Sequence, residues 1–372
     1  MNRIILLDID GVLVQPGGYR AALRATVHRF IDPDFEIRED LLTEFERRGL
    51  SSEWDMSPLI IAAFWEDILS RQPLTSLPED VSAAAEQIRR QRRVELPQRL
   101  SIPEFDLVVG QYPAETAFRA GCFPSIPEAL RRNLMTETRN FQKSETFRAF
   151  QHFTLGSQHY EETYNLPAEF ETESLLLKYD HPKVSDSTRA AFFQNGNRVA
   201  AFTARPSHPP REVTDSTLGY APEAELALEL VGMKEVPLAA FGKLEYIAAQ
   251  HGLNPEIFVK PAPFHALVGA LAAWTGEELS ALKAAYDWHG TGKLNSRFGE
   301  LPKSFELVVI EDTMGGIRSV RAAGEVLQKA GFDVTVRTFG LTSGIEAKAQ
   351  AFEKADVPHF ETWESLLAGI QL

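Results

Sequence analysis

Ile4-Ile5-Leu6-Leu7-Asp8-Ile9-Asp10-Gly11-Val12-Leu13-Val14 is the stretch that decides the fold. An apolar run of strand length ends in two aspartates one residue apart, followed by a glycine. Side chains on a strand alternate with period two, so Asp8 and Asp10 would leave a continuing strand on the same side. The unbroken apolar run reads as a strand buried on both faces, as in a parallel sheet. Such sheets hold ligands just outside the carboxyl ends of their strands, where this pair falls. Two carboxylates this close repel each other unless a cation or a proton lies between them. Metal-assisted phosphoryl transfer uses such a pair, one carboxylate attacking and the other handling protons. The structural alternative is that short acidic residues end strands and open turns.

Outward from this stretch, Gln15 to Tyr19 carry a Pro-Gly-Gly turn signal. Helical periodicity then dominates, with helices expected at Tyr19–Phe30, Glu39–Arg48, Pro58–Ser70, Glu79–Arg93, Ile126–Asn133 and Asn140–Phe153. One weak strand signal lies at Asp106–Gly110. From Asp180 onward strands and helices alternate. Strands are expected at Arg198–Phe202, Glu256–Val259, Phe305–Ile310 and Asp333–Phe339, with helices between them and a last short strand and helix at the C-terminus. The expected fold is therefore α/β. A doubly wound parallel-sheet core, residues 1–14 and 181–372, is interrupted after its first strand by a mostly helical cap at 15–180.

Composition narrows the function classes. The 372 residues are 44% hydrophobic and 24% charged, as in an ordinary soluble protein of roughly two domains. A formal net charge of −14 argues against nucleic acid and against an anionic membrane surface as partners. The single cysteine, Cys122, rules out an internal disulfide and a Cys-rich zinc site. No apolar stretch approaches the ~20 residues that span a bilayer. A first strand beginning at the third residue leaves no room for a signal peptide, and a cytoplasmic location is the expectation.

Four apolar runs end in polar residues suited to phosphate chemistry. They are Leu6 to Val12, Val199 to Pro206 with Thr203, Ile257 to Pro261 with Lys260, and Leu307 to Thr313 with Glu311 and Asp312. In a parallel sheet these ends share one edge. A divalent cation bridging Asp8, Asp312 and a phosphoryl oxygen would cancel the repulsion between a phosphate dianion and a carboxylate nucleophile. Lys260 adds a fixed positive charge, and the Thr203 hydroxyl can hold another oxygen.

With these residues in these positions, the chain resembles the haloacid dehalogenase superfamily. Asp8-Ile9-Asp10-Gly11-Val12 matches that family's first motif, Thr203 its second, Lys260 its third and Glu311-Asp312 its fourth. The insertion falls where the family's helical caps of the first type are inserted. Gly315-Gly316-Ile317 and Ala322-Ala323-Gly324 look most like the β-phosphoglucomutase and small-phosphatase branch, for which the insertion is long. The resemblance implies that Asp8 attacks phosphorus and becomes an aspartyl phosphate, and that Asp10 protonates the leaving oxygen and then activates water. It implies that Asp8, the Asp10 backbone carbonyl and Asp312 ligate Mg2+, with Glu311 direct or through water. Thr203 and Lys260 would bind the transferred group. The expected activity is Mg2+-dependent hydrolysis of a small phosphorylated metabolite such as a sugar phosphate. The alternatives are a phosphomutase using the same intermediate and a non-catalytic ligand-binding protein on the same core.

Each residue also has a plain structural role to weigh. Thr203 can cap a following helix, Lys260 can be a solvated loop lysine, and Glu311 and Asp312 can favour a helix N-terminus. Gly315-Gly316 reads as close packing of helix on strand. Arg205, two after Thr203, can face the site or form a surface ion pair. Arg89, Arg90, Arg92 and Arg93 read as a solvated basic face. Ser52 to Asp55 and Gly156 to Tyr160 read as polar-aromatic loops of the cap, suited either to polyol recognition or to ordinary packing. The nine histidines show no metal-ligand spacing.

Overall fold

The computed structural model describes every residue except Met1, Ser51, Val109, Gly110, Asp215, Ser216, Gln371 and Leu372. The chain forms two compact units: an α/β unit of Met1–Pro16, Glu162–Asn165 and Asp180–Leu372, and a helical unit of Gly17–Glu161 and Leu166–Tyr179.

The opening apolar run forms β1, Asn2–Leu7, and Ile4 through Leu7 are fully buried. Each such side chain contributes about 1.5–3 kcal/mol on leaving water, so β1 is the natural centre of a sheet. A short antiparallel ribbon pairs β2, Val14–Gln15, with β3, His181–Pro182, where the chain leaves the α/β unit and returns to it. The other strands are β4 (Arg198–Phe202), β5 (Leu238–Ala239), β6 (Ser304–Glu311), β7 (Asp333–Leu341) and β8 (His359–Phe360). The sheet is parallel in the order β5-β4-β1-β6-β7-β8. Strand order runs outward from β1 first one way, through β4 and β5, then the other, through β6 to β8. The carboxyl end of β1 therefore lies where the winding reverses, the usual ligand crevice of an open α/β sheet. Apolar clusters cover both faces, one including Ile4, Leu6 and Phe264, the other Ile5, Leu7 and Trp363.

One expected strand is absent among the described residues. At 256–259 the chain makes a 3₁₀ turn, Pro255–Ile257, capped by the Asn254 side chain accepting from the Glu256 N–H. The run's own amides are spent inside the turn, Ile257 N–H donating to the Asn254 carbonyl and Phe258 N–H to the Pro255 carbonyl, so they are not offered to a ladder. The sheet instead gains β5, a two-residue strand too short to carry a periodic signal.

The helical unit has its own core, from Ala22 to Phe150, which includes the fully buried Trp65, whose Nε1 donates to the Phe30 carbonyl at 3.1 Å. The helix expected from Pro58 begins earlier, spanning Glu53–Arg71 with Pro58 inside it. An internal proline costs about 3 kcal/mol. The fully buried Met56, Leu59, Ile60 and Ile61 outweigh it at about 1.5–3 kcal/mol each. Trp54 and Asp55 are thus helical: Trp54 packs edge-on to Tyr19 and Phe150, and Asp55 pairs with Arg139 at 2.6 Å. Residues 157–160 are also helical, within Glu145–Tyr164, which is broken at Gly156 by φ 76°. Two of the basic run are tethered, Arg89 donating to the carbonyls of Arg29 and Ile31 and Arg92 pairing with Asp32 at 2.8 Å, while Arg90 and Arg93 are exposed as expected. The weak strand signal at Asp106–Gly110 gives no strand through Val108, and its last two residues lie outside the described residues. Among the described residues no helix is long and apolar enough to cross a membrane.

Candidate functional site

At the carboxyl end of β1 the chain turns sharply. The amides of Leu13 and Val14 both donate to the Ile9 carbonyl, and Ile9, Val12 and Leu13 fold back into the core. Trp363 Nε1 donates to the Val12 carbonyl at 2.8 Å and fixes the turn from outside. Gly11 is required here. Its φ is +72°, and a Cβ would lie 2.2 Å from Asp312 Oδ2.

This packing brings the ends of β1 and β6 together. Asp8, Glu311 and Asp312 are all buried, and each offers a carboxylate oxygen within 4.8 Å of the others. Lys260 joins them from the loop after the 3₁₀ turn. Its Nζ lies 2.9 Å from Asp8 Oδ1 and 2.6 Å from Glu311 Oε1, donates to the Phe202 carbonyl at 3.2 Å, and sits over the Phe202 ring. Although not at a strand end, Lys260 thus reaches the same edge. Its side chain, 9% exposed, lies among acids and is not that of a solvated loop lysine.

Thr203 follows β4 and is buried. Its Oγ1 accepts the Arg205 N–H at 3.2 Å, so it shapes a loop and does not cap a helix. Arg205 is a buried ligand of Asp10. Nε and Nη2 reach the two Asp10 oxygens at 2.9 and 2.5 Å, and Nη2 also reaches Asp180 Oδ2 at 2.7 Å. The Asp10 side chain is 33% exposed and lies outside the three-carboxylate group.

Burial and charge act strongly here. Burial, then Glu311, pushes the Asp8 carboxyl up to about 8 despite Lys260. Burial, then Asp8, pushes Asp312 up to about 6 against the pull of Lys348. Burial alone would lower Lys260, but Asp8 and Glu311 hold it above the ordinary lysine range. Carboxyls raised by burial and by each other's charge are what a hard, oxygen-seeking cation relieves, so the donor set fits a divalent ion such as magnesium. Glu311 is the least free of the three. Its Oε1 takes Lys260, and its Oε2 accepts from the amides of Asp312 and Thr313 and from Thr313 Oγ1. Asp8 and Asp312 retain uncommitted oxygens for an ion.

Four neighbours carry no signal in the sequence. Lys348 Nζ contacts Asp312 Oδ2 at 2.5 Å. Lys183 Nζ donates to the Gly11 carbonyl and to Ser343 Oγ, each at 2.5 Å. His265, fully buried, accepts the Lys260 N–H at Nδ1 and faces the Ala239 carbonyl through Nε2. Asp180, buried at the return into the α/β unit, is the second partner of Arg205. Lys348, Lys183 and Asp180 reach the site from distant stretches, His265 lies five residues after Lys260, and none stands in a motif.

No protein-family model and no curated protein matches the chain. One solved structure, an X-ray structure of a Northeast Structural Genomics Consortium target, has a TM-score of 0.65 at 14% identity, covering 98% of this chain and 97% of its own. The chain shares that fold. A second is described as a conserved haloacid dehalogenase-like protein of unknown function from Agrobacterium tumefaciens. It covers 99% of this chain and 97% of its own at 14% identity, with a TM-score of 0.37.

Proposed function

We propose that the protein is a magnesium-dependent phosphohydrolase acting on a small phosphorylated metabolite. The carrying observation is the convergence of Asp8, Asp312 and Lys260 at the carboxyl end of the central strand, with Asp8 and Asp312 close enough to share one ion.

In this reading Asp8 attacks phosphorus. The P–O bond to the leaving group breaks as a P–O bond to Asp8 forms, and Asp10 gives the leaving oxygen its proton. Water then attacks the aspartyl phosphate, passing a proton back to Asp10, and inorganic phosphate departs. Asp8, Asp312 and the Asp10 backbone carbonyl would hold magnesium, which would supply positive charge against the phosphoryl oxygens. Lys260 and Thr203 hold those oxygens. In the same proposal the core at 1–14 and 181–372 carries this chemistry, and the inserted segment at 15–180 is a separate helical cap domain.

The test is turnover of p-nitrophenyl phosphate and a panel of sugar and other metabolite phosphates, with magnesium and with chelator. Hydrolysis that needs magnesium is expected. Asp8→Asn should abolish it by at least ~10³-fold while leaving the circular-dichroism spectrum unchanged. Turnover retained in that variant would remove Asp8 as nucleophile and the proposal with it.

A further inference from the structure

Every carboxylate in the candidate site already has a cation from the chain. Lys260 serves Asp8 and Glu311, Arg205 serves Asp10 and Asp180, and Lys348 serves Asp312. Lys183 adds a further positive charge beside Asp312 and Lys348. Five carboxylates thus face four cations, a formal balance of only −1. A divalent cation approaching alone gains little from such a field, and a phosphate dianion alone gains little either. A cation and a phosphoryl anion arriving together leave the balance unchanged.

Lys348 is the residue that can yield. It is 26% exposed at the side chain, and Asp312 is its ion-pair partner. Lys183 is anchored at the Gly11 carbonyl and Ser343, so it stays in place and repels both Lys348 and an incoming ion.

We propose that Lys348, backed by Lys183, is a positioning residue that makes cation binding at Asp312 conditional on a phosphoryl anion. The site then takes magnesium and phosphate as a pair. This inference rests on reading the site as one for magnesium and a phosphoryl group. It concerns how the two are coupled, which that reading leaves open.

The experiment is titration calorimetry on the full chain with magnesium alone, inorganic phosphate alone, and magnesium at saturating phosphate. In the wild type phosphate should tighten magnesium binding by about tenfold or more, within the 5–150-fold span of typical site coupling. In Lys348→Met magnesium alone should bind about tenfold tighter than in the wild type, with the coupling factor correspondingly reduced. Lys348→Arg, which keeps the charge, should behave as the wild type and guards against a folding artefact in the methionine variant. Magnesium binding that is unchanged or weaker in Lys348→Met, with Lys348→Arg folded and wild-type in behaviour, would overturn the inference alone. Failure of the wild type to bind magnesium with or without phosphate would overturn the proposed function and this inference with it.

Discussion

At the residue scale, His265 shows how a side chain with no motif is tied to the site. Its Nε2 faces the Ala239 carbonyl at 3.0 Å, so that nitrogen carries the proton and Nδ1 accepts the Lys260 N–H at 3.3 Å. A second proton would set two donors against each other. Burial, reinforced by Lys260, pushes this imidazole down to about 3. The sign of the stability effect follows. The unfolded histidine takes a proton near pH 6.5 and the folded one refuses it, so the contribution is intact above about 6.5 and is lost as pH falls toward 3. Between pH 6.5 and 4.5 this one residue should cost about 2–3 kcal/mol of stability. Urea unfolding at several pH values checks it. His265→Gln should be less stable at pH 7 yet lose that part of the acid slope, and parallel curves for the two proteins would sink the assignment. Asp8, Asp10 and Gly11 were legible in the sequence because one short segment carries both chemistry and geometry. Lys183, Asp180, His265 and Lys348 were not. A lysine or histidine acquires meaning only from the neighbours that the fold supplies.

At the element scale, the junction of β6 with the helix Met314–Lys329 sets the position of Glu311. A Cβ on Gly316 would lie 1.9 Å from Glu311 Oε1, the oxygen that holds Lys260, while a Cβ on Gly324 of the same helix would lie 2.3 Å from Val336 Cγ2 on β7. Both glycines allow the helix to sit close, but only Gly316 leads to the site. Gly316→Ala should lower kcat by roughly 10²-fold through displaced Glu311 and Lys260. Gly324→Ala should cost about 1–3 kcal/mol of stability and leave kcat near the wild type. Steady-state kinetics beside thermal melts separate the two, and equal kinetic effects would refute the distinction. Helix packing on a strand was readable from the glycines; that one of them abuts a carboxylate was not. The stretch before Lys260 was misread for a related reason. Its apolar run has strand composition, but the Asn254 cap and the turn's own hydrogen bonds take up its amides, and the lysine still reaches the sheet edge from a turn.

At the scale of the whole molecule, the two units keep separate apolar cores. The helical unit's cluster runs from Ala22 to Phe150, whereas the clusters of the α/β unit draw on residues 4–14 and 184–370. Alternating strands and helices after Asp180 made the α/β fold readable, and the long helical run before it marked an insertion. The return of residues 162–165 to the α/β unit left no trace in the sequence, where no strand, helix or motif was expected between Tyr160 and Asp180. Units with their own cores can melt separately, and a ligand held only by one stabilises that one by RT ln(1 + [L]/Kd). Every residue assigned here to magnesium and the phosphoryl group belongs to the α/β unit. Magnesium with inorganic phosphate at about 100 times the dissociation constant should add about 2.7 kcal/mol to it, a rise of roughly 5–10 °C for a unit of this size. Scanning calorimetry should therefore resolve two transitions, with only one moved by the ligands. In Asp8→Asn the ligand-dependent shift should shrink while the other transition keeps its temperature. A single transition moving as a whole would mean that the units unfold together, and a shift confined to the helical unit's transition would place the ligands on residues other than Asp8, Lys260 and Asp312.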